Sequence, residues 1–450
     1  MSKRHGKHGS KQEWSSGIGF IIACVGSAVG LGNLWKFPYI TYENGGGAFV
    51  FIYLLAILVV GFPIILGEMI IGRHGHANIF GTFKSLSKDH PFWKGLGIFL
   101  ISVGALILSF YSVVAGWTLE YFIKSLSGEL GGLTVATVGK HFGSFVGNGW
   151  KQVFYHTLFM GFTAFIILKG TRRIEQAVKI LMPVLFVLIF VIMGISLYNF
   201  GAGQSLSFLF DFDFSKLTSH SVLEAVGHAF FTLSLGMGIM IIYGSYLPKK
   251  IHVVRAGLWI VFFDTFIALM ACMMMYPIIF GTNMEVKESA AMLFTTLTVQ
   301  FNALPGGGFI SAGFYMLVAF AALSSTISLL EPVVSYISEE WRMSRKKATA
   351  LGAGVIWLLG VGCALSNGAS EFFTKLGVMD KLDYFTSNWG LTVGGILISI
   401  FAGWILTKQA TSSELEYEQS SLSYRGWLFC VRYLSPLFVL IVILYKLNLF

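Results

Sequence analysis

Two glycine-rich stretches interrupt long apolar segments of this chain, and their backbone groups could bind an ion. Residues 26–33 read GSAVGLGN, and residues 232–238 read TLSLGMG, about 200 residues further on. Glycine within a helix costs about 1 kcal/mol relative to alanine, so an interruption here frees carbonyl and N–H groups of the backbone. Glycines of this kind also permit close helix packing. Their occurrence at comparable depth in both halves of the chain favours a paired binding site.

A run of hydroxyl groups offers further oxygen ligands. Ser324, Ser325 and Thr326 follow one another within an apolar segment. A serine or threonine in a membrane helix commonly bonds to the carbonyl one turn earlier, which is the simpler explanation for any one of them. Three in succession, together with carbonyls freed by an interrupted helix, match the uncharged oxygen shell that an alkali cation accepts in place of water.

Four acidic residues, Glu68, Glu224, Asp264 and Glu331, lie inside apolar segments. An ionisable group at membrane depth costs several kcal/mol, so each of these side chains needs a partner. We expect Glu68 and Glu331 to bind backbone donors that the interrupted helices leave exposed. Asp264 lies midway along its segment with no base nearby, and its simplest partner is a bound cation.

The elements that must position these groups are membrane helices. Of the 450 residues, 55% are apolar and 12% are charged, and the mean hydropathy is +0.74. The net charge of +9 is spread over loops without a basic stripe, which argues against a nucleic-acid-binding surface. Because a span needs about 20 apolar residues, the sequence predicts an all-α polytopic membrane protein. The eleven predicted transmembrane helices lie at about 14–35, 44–67, 95–119, 152–168, 180–210, 222–247, 252–281, 309–338, 346–366, 384–407 and 425–448.

The loops between these segments predict how the chain is oriented in the membrane and where it divides into repeats. Lysine and arginine concentrate in alternate loops, as at Arg73, Arg172, Lys249 and Arg345, which predicts a cytosolic N-terminus and an extracellular C-terminus. Residues 282–308 are too interrupted to cross and predict an extracellular hairpin. The predicted divisions are a cytosolic arm at 1–13, a first five-helix repeat at 14–200, an extracellular loop at 201–221, a second five-helix repeat at 222–408, and a cytosolic loop with the eleventh helix at 409–450.

Four longer motifs carry a family resemblance: GSAVGLGNLWKFPY, ENGGGAF, FFTLSLGMG and ALSSTISLLEP. They resemble the neurotransmitter:sodium symporter family, whose LeuT fold is built from a 5+5 inverted repeat. The resemblance runs from about residue 12 to about residue 410 and implies one extra helix beyond the two repeats. The chain is similar in character to bacterial members that transport several hydrophobic amino acids.

The resemblance implies two sodium sites, each at the interrupted helices. The first would use the carbonyl oxygens of Gly26, Val29 and Ala321 and the hydroxyls of Ser324 and Ser325. The second would use Ala28, Asn33, Thr232, Asp264 and a carboxylate oxygen of the substrate itself. The second site would therefore combine oxygen atoms of the protein with one oxygen atom of the substrate.

The same resemblance implies an amino-acid site between the interruptions. The substrate carboxylate would meet the amides of Leu31 and Gly32 at a helix N-terminus and the hydroxyl of Tyr111. The substrate amino group would face carbonyls near Phe231 and Ser234. The full set of substrate contacts implied in this way is Ala28, Leu31, Gly32, Ile107, Tyr111, Phe231, Thr232, Ser234, Met237, Ser325, Ser328 and Leu329.

Two gates are implied as well. Lys36 resembles the external gate cation of the family, and Asp383 its acidic partner. On the inner side Lys11 would pair with Glu339, with Tyr246 nearby. Exposed ion pairs contribute only about 0–1 kcal/mol, which suits gates that must open.

Gly30 bears on the charge of the substrate. Family members that carry monoamines resemble one another in having an aspartate at this position, which supplies the charge that a substrate without a carboxylate lacks. This chain has glycine, so the substrate is expected to bring its own carboxylate. The apolar pocket wall, with the flexible side chain of Met237, favours neutral hydrophobic or aromatic side chains.

The chain departs from many relatives at positions linked to chloride. Asp264 stands where asparagine is common, Ala268 where chloride-dependent members carry serine, and His228 where a glutamine helps form the chloride site. Our hypothesis is that the Asp264 carboxylate supplies fixed negative charge near the sodium ions and makes chloride unnecessary. Tyr53 and His228 would be its hydrogen-bond neighbours, although His228 could equally be a packed polar group.

These expectations describe a sodium-coupled symporter that imports neutral hydrophobic or aromatic L-amino acids by alternating access, with two Na⁺ per substrate and no chloride requirement. It would lie in the bacterial inner membrane, with an amino acid and lipid as partners and no nucleic acid, and its oligomeric state is left open. The sequence contains no HExxH or GxSxG motif that would indicate an enzyme. Two alternatives stay open: a symporter of the same fold for another small zwitterion such as a betaine, and a non-transporting amino-acid sensor.

Overall fold

The structure, a computed structural model, describes residues 13–282 and 291–447, and this part of the chain contains helices and no strand. Helices suit the membrane environment, because a chain surrounded by hydrocarbon must satisfy its backbone donors and acceptors internally. The helices are α1 (Gly17–Ala28), α2 (Gly32–Glu43), α3 (Gly47–Gly75), α4 (Ile79–Leu86), α5 (Pro91–Ser127), α6 (Val135–Val146), α7 (Gly149–Ile167), α8 (Thr171–Phe200), α9 (Gly203–Phe210), α10 (Ser219–Thr232), α11 (Ile239–Ser245), α12 (Val253–Thr282), α13 (Ala291–Phe294), α14 (Thr296–Ala303), α15 (Gly307–Glu340), α16 (Arg345–Leu365), α17 (Glu371–Ile405), α18 (Lys408–Leu415) and α19 (Leu422–Lys446).

Eight helices of the described residues are long and apolar enough to cross a membrane: α3, α5, α8, α12, α15, α16, α17 and α19. The bent pair α1 and α2 makes a ninth when it is counted as one span. The two remaining predicted segments, near 152–168 and 222–247, coincide with α7 and with the pair α10 and α11. The all-helical membrane architecture is confirmed, while the number of eleven crossings stays a prediction.

The predicted divisions of the chain fall near helix boundaries at most points. Of the predicted arm at 1–13, only Glu13 lies within the described residues. The predicted loop at 201–221 follows the end of α8, and it contains the short helix α9. The tenth predicted helix begins earlier than expected, because α17 starts at Glu371 and not near residue 384. In its described part, the predicted hairpin at 282–308 contains α13 and α14. The division into two repeats stays a prediction.

The first predicted interruption separates α1 from α2. α1 ends at Ala28 and α2 begins at Gly32, and the two axes differ by 55°. Val29 has φ −75° and ψ 108°, so the backbone leaves the helical path between the two helices. Gly30 donates its N–H to the Asn33 side-chain oxygen at 3.1 Å. The prediction of a broken helix at residues 26–33 is confirmed.

The second predicted interruption separates α10 from α11. Residues 233–238 are not helical, and Ser234 and Gly236 have positive φ values of 55° and 80°. A Cβ atom on Gly236 would lie 2.1 Å from the Leu391 carbonyl oxygen, so only glycine fits here. Glu68 Oε1 accepts the Gly236 N–H at 2.9 Å, which is the kind of backbone contact expected of this acid. The second break is therefore also confirmed, and Glu68 holds it in place.

The long helices differ in how far the rest of the bundle encloses them. α15 packs extensively against α5, α11 packs against α3, and α12 packs against α8. Of the eight long spans, α15 has the largest share of buried residues, and α8 and α19 have the smallest. Apolar exterior surface is expected of helices that face lipid. Because α1 packs against α12 and α15, the first interruption lies among the enclosed helices.

Candidate functional site

A cavity lies between the two helix interruptions, and α5 and α15 complete its wall. All twelve residues that the family resemblance implies for substrate contact line this cavity. Three further residues line it as well: Ser27, Gly30 and Ile239. Ser27 belongs to the first glycine-rich stretch, where a small polar residue is easily interpreted as a packing residue, and Ile239 opens α11 directly after the second break. The residues implied by the resemblance therefore outline most of this cavity, while their role as substrate contacts stays a prediction.

One end of the cavity can receive a carboxylate. Leu31, directly before α2, donates its N–H to the Tyr111 hydroxyl at 3.1 Å, and α2 begins at the next residue. The N-terminus of a helix carries partial positive charge and exposed N–H groups. A Cβ atom on Gly30 would lie 2.8 Å from Ser325 Oγ and 2.9 Å from the Tyr111 hydroxyl oxygen. Glycine at position 30 thus leaves this end of the cavity open.

A buried carboxylate lies beside the cavity. Asp264 Oδ1 accepts hydrogen bonds from Asn33 Nδ2 at 2.7 Å and from Thr232 Oγ1 at 2.8 Å, and the side chains of all three residues are at most 2% exposed. Tyr53 donates its hydroxyl to Asp264 Oδ2 at 3.5 Å. No ion pair among the described residues includes Asp264. Since a buried carboxylate without a counter-charge is unfavourable, this cluster is suited to a cation.

Asn33, Thr232 and Asp264 are three members of the second implied sodium site, and the structure brings them together. Ala28, the fourth, lines the adjacent cavity. Asn33 Nδ2 lies 3.1 Å from Thr232 Oγ1, and Thr232 also lines the cavity, so the cluster and the cavity share a wall. A carboxylate within the cavity can therefore approach a cation held by these oxygens.

A second oxygen cluster lies between α1 and α15. Ser324 Oγ donates to the Ala321 carbonyl at 2.9 Å, and Ser325 Oγ lies 3.3 Å from the same carbonyl and 3.4 Å from that of Val29. A Cβ atom on Gly26 would lie 3.2 Å from Ser324 Cβ, so the backbone there packs directly on the serine. The five residues implied for the first sodium site thus come together. Their carbonyl and hydroxyl oxygens are hard, uncharged ligands of the kind that sodium accepts.

His228 differs from its expected role. Its ring stacks on Phe37 at a centroid distance of 5.5 Å and lies 5.6 Å from the Tyr53 ring. Within the described residues neither ring nitrogen has a hydrogen-bond partner. The expectation that His228 hydrogen-bonds to Asp264 is therefore wrong, and the alternative of a packed polar group fits, because the imidazole stacks on the Phe37 ring. Ala268 is buried one helical turn after Asp264, as the sequence places it.

Lys36 and Asp383 line a second cavity on the far side of Phe231, whose ring lies in the walls of both cavities. Lys36 Nζ lies 4.9 Å from the Phe231 ring centroid, while Asp383 accepts a hydrogen bond from Ser387 Oγ at 2.8 Å. In the described part of the chain the two form no ion pair, so the expected pairing is absent. Lys36 instead makes a cation–π contact. Glu224 also lines this cavity and is half-buried, not fully enclosed as its apolar segment suggested.

Two of the three residues expected at the inner gate, Glu339 and Tyr246, have partners within the protein, although Glu339 is exposed and Tyr246 is buried. Glu339 Oε2 accepts hydrogen bonds from the backbone N–H of Asn78 at 2.8 Å and from its side chain at 3.0 Å, whereas Lys11 lies outside the described residues. Tyr246 donates its hydroxyl to Glu331 Oε1 at 2.8 Å, and Arg345 pairs with the same carboxylate. Glu331 was expected to bind backbone donors of a broken helix. That expectation is wrong, because α16 begins with an arginine beside it.

Hydrogen bonds hold Trp14 and Ser15, which come directly before α1, against other helices. Trp14 donates its indole N–H to the Tyr243 carbonyl at 3.0 Å and its backbone N–H to the Tyr246 carbonyl at 3.2 Å. Ser15 donates its backbone N–H to Glu175 Oε2 at 3.0 Å and its hydroxyl to Oε1 at 2.5 Å. These contacts attach the start of α1 to α8 and to the end of α11. Glu175 was not predicted, because nothing in the sequence indicates which acid faces the N-terminal segment.

The known proteins to which this chain is similar include sodium-dependent transporters. The model of the sodium:neurotransmitter symporter family matches residues 11–137 and 133–450. The chain is 36% identical over 443 residues to an uncharacterized sodium-dependent transporter of Bacillus subtilis, YhdH, which covers 96% of this chain and 97% of the relative. It is 33% identical over 448 residues to an uncharacterized sodium-dependent transporter of Haemophilus influenzae, with 96% and 97% covered. The crystal structure of MhsT in complex with L-phenylalanine matches with a TM-score of 0.88 and 37% identity, over 96% of this chain and 99% of MhsT.

Proposed function

The chain belongs to the sodium:neurotransmitter symporter family, and from this membership we propose that it imports a neutral hydrophobic or aromatic L-amino acid with two sodium ions and without chloride. Membership makes the chain a sodium-dependent, multi-pass membrane transporter and not an enzyme. The observation that carries the proposal is the buried carboxylate of Asp264, which adjoins a cavity that can itself receive a carboxylate.

The cavity suits a zwitterion. Its carboxylate would lie at the N-terminus of α2, against the amides of Leu31 and Gly32 and the hydroxyl of Tyr111. The remaining wall is largely apolar and includes Ile107, Met237 and Leu329, which favours an uncharged side chain. That MhsT was crystallised with L-phenylalanine supports the same substrate class.

Two sodium ions are proposed because two oxygen clusters lie at the interruptions. One is the Asp264 cluster, completed by the substrate carboxylate, and the other lies between α1 and α15 around Ser324 and Ser325. Each charge that moves down a membrane potential of 100 mV yields about 2.3 kcal/mol, or about 4.6 kcal/mol for two. That energy supports an amino-acid gradient of about 10³-fold.

Transport requires that the two sides of the cavity open alternately. We place the protein in the bacterial inner membrane with its N-terminus in the cytoplasm and its C-terminus outside, in accordance with the lysines and arginines of alternate loops. Lys36 and Phe231 would then close the outer side, and Trp14 with the contacts of Ser15 would close the inner side. Bound substrate would stabilise the form closed on both sides, because only that form contacts it from both interruptions.

Uptake into proteoliposomes tests the proposed function. With sodium outside and an inside-negative potential, labelled tryptophan, phenylalanine or leucine should accumulate, and gluconate in place of chloride should leave the rate within about twofold. Removal of sodium should abolish accumulation. Competition by unlabelled betaine in place of amino acids would favour a symporter for another zwitterion. Sodium-dependent binding without accumulation would identify a sensor and contradict the proposal.

Neutralising Glu175 should make the inner side open more readily. The variant Glu175→Gln keeps the side-chain shape but weakens hydrogen bonds to Ser15 that a charged acceptor strengthens, a change of about 1 kcal/mol. Cys24, fully buried in α1, should then react about fivefold faster with a membrane-permeant thiol reagent, as mass spectrometry of the labelled residue would measure. Glu371→Gln, which removes an exposed acid paired with Lys375, is the matched control and should leave the rate unchanged. Equal labelling in all three proteins would contradict this role.

A further inference from the structure

Two serine hydroxyls in the cavity wall are used by neither proposed sodium site. Ser27 belongs to α1 and Ser328 to α15, and their Oγ atoms lie 2.8 Å apart although 301 residues separate them in the chain. Both side chains are buried, at 2% and 0% exposure, and both line the cavity. Their neighbours in the wall include the apolar residues Ile107, Ile239 and Leu329. A polar pair in this position bears on which side chain the cavity accepts.

The directions of the hydrogen bonds determine what this pair can offer. Ser27 Oγ donates to Ser328 Oγ, and Ser328 Oγ donates to the Ser325 carbonyl at 2.8 Å. A serine hydroxyl has one donor hydrogen and two acceptor lone pairs. Both hydrogens are therefore engaged within the protein. Ser27 Oγ accepts no hydrogen bond from any residue that the structure describes, so this hydroxyl presents only acceptor lone pairs to the cavity.

We propose that Ser27, oriented by Ser328, is a specificity-determining residue that selects amino acids whose apolar ring carries one N–H or O–H donor, with the indole of tryptophan as the preferred group. This inference rests on the proposed import of hydrophobic amino acids. The apolar wall contributes affinity for any large hydrophobic side chain, because it removes apolar surface from water. The Ser27 oxygen adds a hydrogen bond only for a side chain with a donor.

The donor requirement excludes side chains that carry only an acceptor. Such a group would place its lone pairs against those of Ser27, whose hydrogen is already held by Ser328. A buried polar group that is left without a partner weakens binding, which is how a hydrogen-bonding site rejects an analogue of the same shape. Phenylalanine and leucine would bind through apolar contacts alone, and tryptophan would gain a further three- to tenfold in affinity.

The test compares tryptophan with 3-benzothienyl-L-alanine, in which sulfur replaces the indole N–H at nearly the same shape. Sodium-dependent binding to the full-length protein should be three- to tenfold tighter for tryptophan. In Ser27→Ala this preference should fall, and in the double variant with Ser328→Ala, which also removes the second hydroxyl, it should disappear. Sodium-dependent binding of leucine to each variant establishes that the variant folds. The ratio of tryptophan affinity to leucine affinity should fall in the same order as the preference, which separates loss of a hydrogen bond from a general change of the cavity.

Results that contradict the role of the serine pair can be distinguished from results that contradict the proposed function. A tryptophan preference that persists in the double variant would overturn the role of the serine pair while leaving amino-acid import intact. Equal loss of affinity for tryptophan, its isostere and leucine would also overturn it, because the serines would then act only on the shape of the cavity. Absence of sodium-dependent binding of any amino acid to the unmodified protein would overturn both.

Discussion

Replacing Asp264 with asparagine is expected to reduce sodium-driven uptake in chloride-free medium by about a hundredfold. The amide keeps the shape of the side chain and can still accept one hydrogen bond from Asn33 or Thr232. It removes the negative charge, which then leaves two sodium ions balanced by the substrate carboxylate alone. Two unit charges about 6 Å apart interact by about 2.8 kcal/mol at an effective dielectric constant of 20, and that loss corresponds to about 10² in affinity.

The same variant should respond to chloride. A small anion near the vacated charge would restore part of the balance, and Ala268→Ser would add a hydroxyl one helical turn from position 264 to hold it. Uptake by the double variant is expected to rise at least about fivefold when chloride replaces gluconate. Ala268→Ser alone is the control and should remain indifferent to chloride. If Asp264→Asn transports as fast as the unmodified protein in gluconate, the charge at this position is not what makes chloride unnecessary.

Replacing Gly30 with aspartate is expected to abolish amino-acid uptake, with an affinity loss of about a thousandfold. The first atom of the new side chain would lie within 3 Å of Ser325 Oγ and the Tyr111 hydroxyl, at the end of the cavity that is proposed to receive the substrate carboxylate. Two like charges about 4 Å apart repel by about 4 kcal/mol at an effective dielectric constant of 20, equivalent to about 10³ in affinity.

An amine without a carboxylate should behave in the opposite way. Tryptamine has the ring of tryptophan but no acid group, and the aspartate introduced by Gly30→Asp would supply the missing charge. Binding of tryptamine, measured by displacement in the presence of sodium, is expected to be detectable only in this variant. Gly30→Ala is the steric control and should lose about tenfold or less, because the two hydroxyl side chains near its Cβ atom can shift. Retained amino-acid uptake in Gly30→Asp would show that the substrate carboxylate binds elsewhere.

What the sequence predicted well depends on local chemistry. Glycines and small polar residues in an apolar segment disfavour a continuous helix whatever surrounds them, so both breaks were predictable from residues 26–33 and 232–238 alone. The cluster of Asn33, Thr232 and Asp264 was assigned through the family resemblance, and the structure places these side chains within hydrogen-bond distance.

What the sequence did not predict depends on how the helices are rotated and packed against one another. Lys36 lies over Phe231 and not against Asp383, and His228 stacks on Phe37. Glu331 binds an arginine from the next helix. Each of these partners follows from the relative orientation of whole elements, about which a single sequence gives no direct information. Ser27 was missed for a different reason, because a serine between small residues resembles ordinary close packing.

The shared position of the Phe231 ring has a kinetic consequence. The Phe231 side chain lines both cavities, and a cation–π contact with the partly exposed Lys36 holds its ring by only about 0.5–1 kcal/mol. Rotation of this ring about its side-chain bonds is a smaller and faster motion than the displacement of a helix. The rate at which substrate enters from the outer side should therefore depend weakly on temperature. The rate of release at the inner side, which requires the start of α1 to detach from the bundle, should depend on temperature steeply.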